Sequence, residues 1–203
     1  MNTSRLLGAV CAVFVICSPD SGASVITPVG VSASSTFGGT YNPDNLINDS
    51  GLISGGLHSN NWYEMWLSDD GDVNATLIFD LGDVFSITST DIWQYNADCC
   101  GLTRGVQAFD IYSSNDGSNF DFVTSGYLTQ SPLGSVPAQN IEFNATAQFI
   151  RFNISSNFGD PGNSGLSEVK FNGVAVVPVP GGVWLICSGL LGLLGFARRN
   201  RAA

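Results

Sequence analysis

The chain has 203 residues, 7 basic against 17 acidic side chains, and a net charge of −10. An apolar fraction of 44% with 12% charged residues argues against a largely disordered chain, and the sign of the charge argues against a nucleic-acid partner, because phosphate binding needs a Lys/Arg surface. With 1 histidine in the chain, a Ser-His-Asp or Cys-His site would have to use His58.

Residues 1–23 read as a secretory signal peptide. Arg5 supplies the positive start, Leu6 to Cys17 is the apolar stretch, and Ser21-Gly22-Ala23 places small residues before a cleavage point at Ser24. The apolar stretch is too short to span a bilayer and is followed by Pro19 and Asp20. Residues 24–173 then form one domain with 3 basic residues, Arg104, Arg151 and Lys170, against 16 acidic ones, a balance of −13. Such a surface attracts divalent cations and repels anionic polymers. A chain of this length is enough for one real core.

Within the domain no segment has a long helical apolar period. Short β-rich runs recur between Asn/Asp/Gly/Ser/Pro clusters. Val29–Ser34 is the first expected strand and Pro43–Ile47 a single helical turn. Gly51–Asn61 reads as a loop. Ala75–Leu81 is a strand ending at Gly82, and Ile87–Tyr95 is the next. Val106–Ser113 alternates, Asn115-Asp116-Gly117 is a hairpin turn, and Phe120–Leu128 returns from it. Ser131–Pro137 is a loop. Ile141–Phe143, Phe149–Ile154 and Leu166–Phe171 complete about eight strands. Short strands with turn signals and no helices imply an all-β antiparallel sandwich or jelly roll. Trp66 and Trp93 sit in strand patterns and are expected in the core.

Residues 174–203 carry a second apolar run, Val183 to Ala197, followed by Arg198, Arg199 and Arg201. Its 15 residues fall just under the usual transmembrane length, and snorkelling arginines can cover the deficit. The arginines should stay cytoplasmic. The tail Val177-Pro178-Val179-Pro180 through the apolar run to Arg198-Arg199 closely resembles the PEP-CTERM sorting signal of Gram-negative bacteria, with Val179 where the usual motif has an acidic residue. The resemblance implies transient anchoring in the inner membrane, processing by an exosortase near the proline motif, and delivery to the cell envelope or extracellular matrix.

A second resemblance covers most of Val29–Gly173. Its pieces are Asn45-Leu46-Ile47-Asn48-Asp49, Trp66-Leu67-Ser68, Ile78-Phe79-Asp80-Leu81-Gly82, Arg104-Gly105-Val106, and Phe109-Asp110-Ile111-Tyr112-Ser113-Ser114-Asn115-Asp116-Gly117. Arg151-Phe152 and Gly165-Leu166-Ser167-Glu168-Val169-Lys170-Phe171 follow. In this order they resemble the galactose-binding-like jelly roll of discoidin and coagulation-factor type C domains and of many carbohydrate-binding modules. The resemblance implies a structural calcium ion between the early Asp-containing loop and a Glu of the last strand, at Asn48, Asp49 and Glu168. An ordinary turn Asp with a solvated or paired Glu stands as the other reading. Asp69-Asp70-Gly71-Asp72 lacks EF-hand spacing and reads as a turn.

Loops on a rigid sandwich are where binding residues concentrate. His58, Asn60, Asn61, Trp62 and Tyr63 lie together in one loop, and Asn96, Asp98, Cys99, Cys100 and Arg104 in another. All of these but the two cysteines are the expected ligand residues, with Trp62 as the main sugar platform. Competing readings put Trp62 in the core, leave His58 solvated, and pair Arg104 with Asp98 or Asp110. The acidic surface favours neutral glycans. Of the 5 cysteines, Cys11, Cys17 and Cys187 fall in the two ends. Adjacent Cys99 and Cys100 remain. Their Cα atoms, ~3.8 Å apart, are closer than the usual disulfide range. They read as a strained disulfide stiffening the loop, with a link to a partner and buried thiols as the alternatives. No HExxH, P-loop, G-x-G-x-x-G or G-x-S-x-G motif is present, so no catalytic residue is assigned. The expected role is a non-enzymatic, exported polysaccharide-binding module. The alternative is an adhesive or structural matrix protein that recognises protein partners.

Overall fold

The computed structural model describes residues 22–176. Eleven strands follow in chain order: β1 Ser24–Ile26, β2 Gly30–Ala33, β3 Leu52–Ile53, β4 Leu57–His58, β5 Trp66–Leu67, β6 Thr76–Gln94, β7 Val106–Ser114, β8 Asp121–Tyr127, β9 Val136–Pro137, β10 Gln139–Asn157 and β11 Gly165–Ala175. Short 3-10 turns lie at Pro43–Leu46, Trp62–Glu64 and Leu102–Arg104. The signal peptide expected over 1–23 lies outside the described residues except at 22 and 23. Of the sorting segment expected over 174–203, all of Val177, Pro178, Val179, Pro180, Arg198 and Arg199 lie outside them. No helix among the described residues is long and apolar enough to cross a membrane.

The expected single turn at Pro43 forms because Pro43 presets the backbone. The Asn42 side chain also accepts from Asp44 N at 2.9 Å. The expected hairpin turn forms too. Asp116 Oδ1 accepts from Ser118 N at 2.9 Å and Asn119 N at 2.8 Å, and these bonds hold its carboxyl well below the usual range.

The pairing order is β1-β11-β6-β10-β7-β8, with β2 also on β6 and β5 also on β11. These pairs are antiparallel. The expected strands Ala75–Leu81 and Ile87–Tyr95 are one continuous strand, β6, and Ile141–Phe143 and Phe149–Ile154 are one strand, β10. The reason is a corner rather than a break. Gly82 turns the chain at φ +83°, a conformation open to glycine, and its N–H donates to Asp80 Oδ1 at 2.8 Å. The register on β10 shifts at the same level, between Ala147 and Phe149. The first half of β6 pairs with β2 and the end of β10, and the second half with β11 and the start of β10. The long strands thereby serve both layers of a sandwich.

The core lies between the layers. Phe79 of β6 meets Phe152 of β10 at 5.1 Å between ring centroids and Phe171 of β11 at 5.6 Å. Each such buried ring contributes about 2–3 kcal/mol. Trp66 and Trp93 are buried as expected, Trp93 donating from Nε1 to Gly56 O at 2.9 Å. On the outer face Arg151 is held between the rings of Tyr112 and Phe120, 4.4 Å from each centroid.

The expected loop Gly51–Asn61 is partly ordered as strand. β3, β4 and β9 form a three-stranded sheet, which brings the Ser131–Pro137 segment over His58. A second small cluster, Tyr41, Met65, Leu67, Tyr95 and Ala97 with Trp62 against it, sits beneath these loops.

Candidate functional site

Three loops meet at one end of the sandwich. Asn96 fastens them. Its Nδ2 donates to Ser59 O at 3.0 Å and Gly134 O at 2.8 Å, and its Oδ1 accepts from Ser167 Oγ at 3.1 Å. Asn96 is fully buried, so the expectation that it contacts ligand is corrected: it staples the loops from below. His58 is also fully buried, which corrects both the solvated and the ligand-contact readings. Its Nδ1 donates to Ser59 O at 2.8 Å, and its buried Nε2 has no hydrogen-bond partner among the described residues. Burial lowers its pKa against the opposing pull of Ser59 and Glu64. Gly51 lies on the ring and leaves no room for a Cβ.

The other residues of the first loop face outward. Asn61 Oδ1 accepts from Tyr63 N at 3.3 Å and caps the Trp62–Glu64 turn. Trp62 is half-buried in a stack. Tyr63 covers it at 3.6 Å between ring centroids, and Tyr41 lies at 5.4 Å. Tyr63 is 57% exposed. Tyr63 is therefore the more exposed of the two rings, with Trp62 packed beneath it. Asn45 Nδ2 anchors the stack from below by donating to Tyr63 O at 3.1 Å and Met65 O at 2.9 Å.

The second loop joins the first where Asn60 Nδ2 donates to Asp98 Oδ2 at 3.3 Å. Arg104 does not pair with Asp98 or Asp110. Its Nε meets Asp160 Oδ2 at 3.4 Å, and Asp110 accepts from Ser125 instead. Arg104 also faces the Tyr95 hydroxyl, whose pKa is pushed up to about 12, mainly by burial. Asp160, Tyr41 and Asn45 hold these loops, and only Asn45 stands in a motif that the sequence shows; Asp160 and Tyr41 lie far in sequence from what they contact.

Cys99 and Cys100 form a disulfide with Cα atoms 3.7 Å apart. The readings as buried thiols or a link to a partner are thereby corrected: each sulfur is spent on its neighbour, and Cys99 is exposed.

The expected metal residues lie on the β11 side. Asp49 adopts φ +61°, and its Oδ1 is 2.7 Å from Lys170 Nζ. Glu168 is fully buried, and neither carboxylate oxygen has a hydrogen-bond partner. Burial, then the charge of Asp49, pushes its pKa up to about 8 against the pull of Lys170. Asn48 Oδ1 accepts from Ser50 N at 2.9 Å. Among the described residues no three His, Cys, Asp or Glu side chains cluster as metal ligands. Asp49 and Glu168 lie close enough for the charge of one to act on the other, and an orphaned buried carboxylate beside a second carboxylate fits a hard cation. Asp69–Asp72 is a turn, with Asp72 accepting from Ser35 Oγ at 2.5 Å.

The family model described as F5/8 type C domain matches residues 30–169. Among solved structures, the family 32 carbohydrate-binding module of C. perfringens NanJ, determined with galactose, has a TM-score of 0.56 at 17% identity, covering 74% of this chain and 98% of its own. The CBM32 of AlyQ, determined with 4,5-unsaturated mannuronic acid, has a TM-score of 0.52 at 21% identity, covering 73% and 97%. Chitosan-binding module 1 of a chitosanase/glucanase from Paenibacillus sp. IK-5 has a TM-score of 0.51 at 18% identity, covering 72% and 95%. No curated protein sequence matches the chain.

Proposed function

The chain belongs to the F5/8 type C domain family, and on that premise we propose that it is a non-catalytic carbohydrate-binding module whose ligand face is the loop end carrying Tyr63. The observation that carries this reading is the exposed Tyr63 ring, backed by Trp62 at 3.6 Å and flanked by Asn60, Asn61 and Asp98. A sugar ring has an apolar C–H face and a hydroxyl rim. An aromatic platform buries the face at roughly 25 cal/mol per Å², and amide and carboxylate groups satisfy the rim. Galactose, a uronic acid and chitosan stand in the names of the structurally similar modules. The acidic surface favours neutral glycans over anionic ones.

Two further parts of the reading rest on sequence and on the buried carboxylate. A structural calcium ion would be held by Asn48, Asp49 and Glu168, and would supply the positive charge that Glu168 lacks. Residues 1–23 and 174–203 support export and transient anchoring by the apolar run Val183–Ala197. An exosortase would then act near Val177–Pro180, and the module would end in the cell envelope or extracellular matrix. Adhesion to protein is a second reading, favoured by Phe122 and Tyr127 standing 59% and 72% exposed on β8.

A glycan array probed with the purified full chain tests the proposal. Binding to at least one neutral polysaccharide that is lost in Tyr63→Ala is the expected result. An array without signal, on protein that melts cooperatively, overturns it.

A further inference from the structure

Cys99 and Cys100 crown the second loop, and their bond does not do what disulfides ordinarily do. A cross-link between sequence neighbours closes no chain loop of useful length, so it adds little by restricting the unfolded chain. It ties no second segment, because both sulfurs are used within the pair. The loop is fastened by other means. Ala97 is buried in the cluster against which Trp62 packs. Asp98 accepts from Asn60 at 3.3 Å, and Arg104 meets Asp160 at 3.4 Å. The disulfide stands between these anchors with Cys99 exposed and Cys100 half-buried.

What the bond changes is the surface. Two free thiol side chains have independent rotamers, whereas the bonded pair is a small fixed patch of polarizable, weakly hydrated sulfur. Sulfur of this kind makes favourable contacts with apolar groups, and a patch with no rotamers left to freeze adds no ordering cost on binding. It lies one residue from Asp98, which is bonded to the loop that carries Tyr63.

We propose that the Cys99–Cys100 disulfide is a ligand-contacting shelf of the glycan site, seating the C–H face of a sugar unit beside the one on Tyr63. Asp98, the neighbour of Cys99 in the chain, and its partner Asn60 would then meet hydroxyls of the bound chain. The inference rests on the proposed carbohydrate-binding reading and assigns this pair a share of that site.

The test uses the full chain with oligosaccharide probes of galactose-containing, chitosan and alginate type. Cys99→Ser with Cys100→Ser should weaken binding of the best probe about tenfold or more while the melting transition stays cooperative. Independently of any variant, saturating probe should slow reduction of the disulfide in the native protein, read as alkylated mass, by about tenfold. If the serine variant fails to fold, the protection measurement decides. Unchanged affinity in a folded variant, or reduction at the same rate with and without probe, overturns the shelf. If Tyr63→Ala still abolishes binding in that case, the carbohydrate-binding reading stands without it. A wild-type chain that melts cooperatively and binds neither these probes nor any glycan of the array overturns both.

Discussion

Lys170 Nζ lies 2.7 Å from Asp49 Oδ1. Two residues earlier on β11, the fully buried Glu168 carboxylate has no hydrogen-bond partner. A lone lysine thus offsets two carboxylates. The desolvation of a carboxylate left without hydrogen bonds costs several kcal/mol unless it takes a proton or a cation. Calcium in millimolar excess should therefore raise the melting temperature over that in chelator. At about 100 times Kd the gain is about 2.7 kcal/mol. Glu168→Gln should be more stable than wild type in chelator and insensitive to calcium. Calorimetry that gives the wild type one melting temperature in both buffers removes calcium from the account.

His58 gives the loop end a pH dependence of defined sign. Burial holds its folded pKa below the ordinary 6.5, so protonation favours the unfolded chain. Its contribution is fully present above the ordinary value and is lost as pH falls through the folded pKa. Buried Glu168, whose pKa is pushed up to about 8, acts with the opposite sign over the same range, so the His58 share is read against a variant: the urea midpoint of the wild type relative to that of His58→Gln should fall between about pH 7 and about pH 5. An equal slope in the variant shows that another group carries it.

Asn96 carries the join between loops. Asn96→Ala would leave the part-buried Gly134 carbonyl without its donor and the Ser59 carbonyl with His58 Nδ1 alone. Orphaned groups of this kind cost about 1–3 kcal/mol each. A loss of about 2 kcal/mol by urea denaturation is expected, with weaker glycan binding because the two loops separate. A variant as stable as wild type places the join elsewhere.

Much of this fold is legible from local chemistry. Pro43 after Asn42 starts a turn, Asn115-Asp116-Gly117 closes a hairpin, and alternation marks Val106–Ser113. The two longest strands are not legible as units, because the corner at Gly82 and the register shift near Gln148 look like strand ends. The site is legible in outline only. His58 and Asn96 sit in polar, glycine-rich sequence that reads as exposed loop, yet the segment through Val136 covers them. Arg104 finds its carboxylate 56 residues away at Asp160, a distance over which no sequence spacing speaks. Tyr63 and Trp62 are neighbours, and only the position of Tyr41 decides which of the two is outermost.

The sorting reading makes a mass prediction. The order of proline motif, apolar run and Arg198-Arg199 at the end implies removal of the basic tail during export. Intact mass of the protein recovered from the matrix fraction of its native cells should lack residues 198–203. Secreted material that still carries the arginines overturns the exosortase step and leaves the binding module untouched.

The aromatic stack supplies the sharpest test of the ligand face. Tyr63 is 57% exposed and rests on Trp62, which itself packs on the buried Tyr41. The two rings should therefore separate in their effects. Tyr63→Ala removes the surface a sugar would stack on and little of the core. Binding should weaken about tenfold or more, about 1.4 kcal/mol, with a melting temperature close to wild type. Trp62→Ala removes the support beneath it and opens the small cluster below the loops. It should lose binding to a similar degree and also about 1–3 kcal/mol of stability, within the range for large-to-small changes at partly buried positions. Tyr63→Phe keeps the platform and should bind nearly as wild type. If Trp62→Ala weakens binding while Tyr63→Ala does not, the indole is the contacting ring and Tyr63 swings aside on binding. If neither affects binding, the glycan site lies off this end of the sandwich.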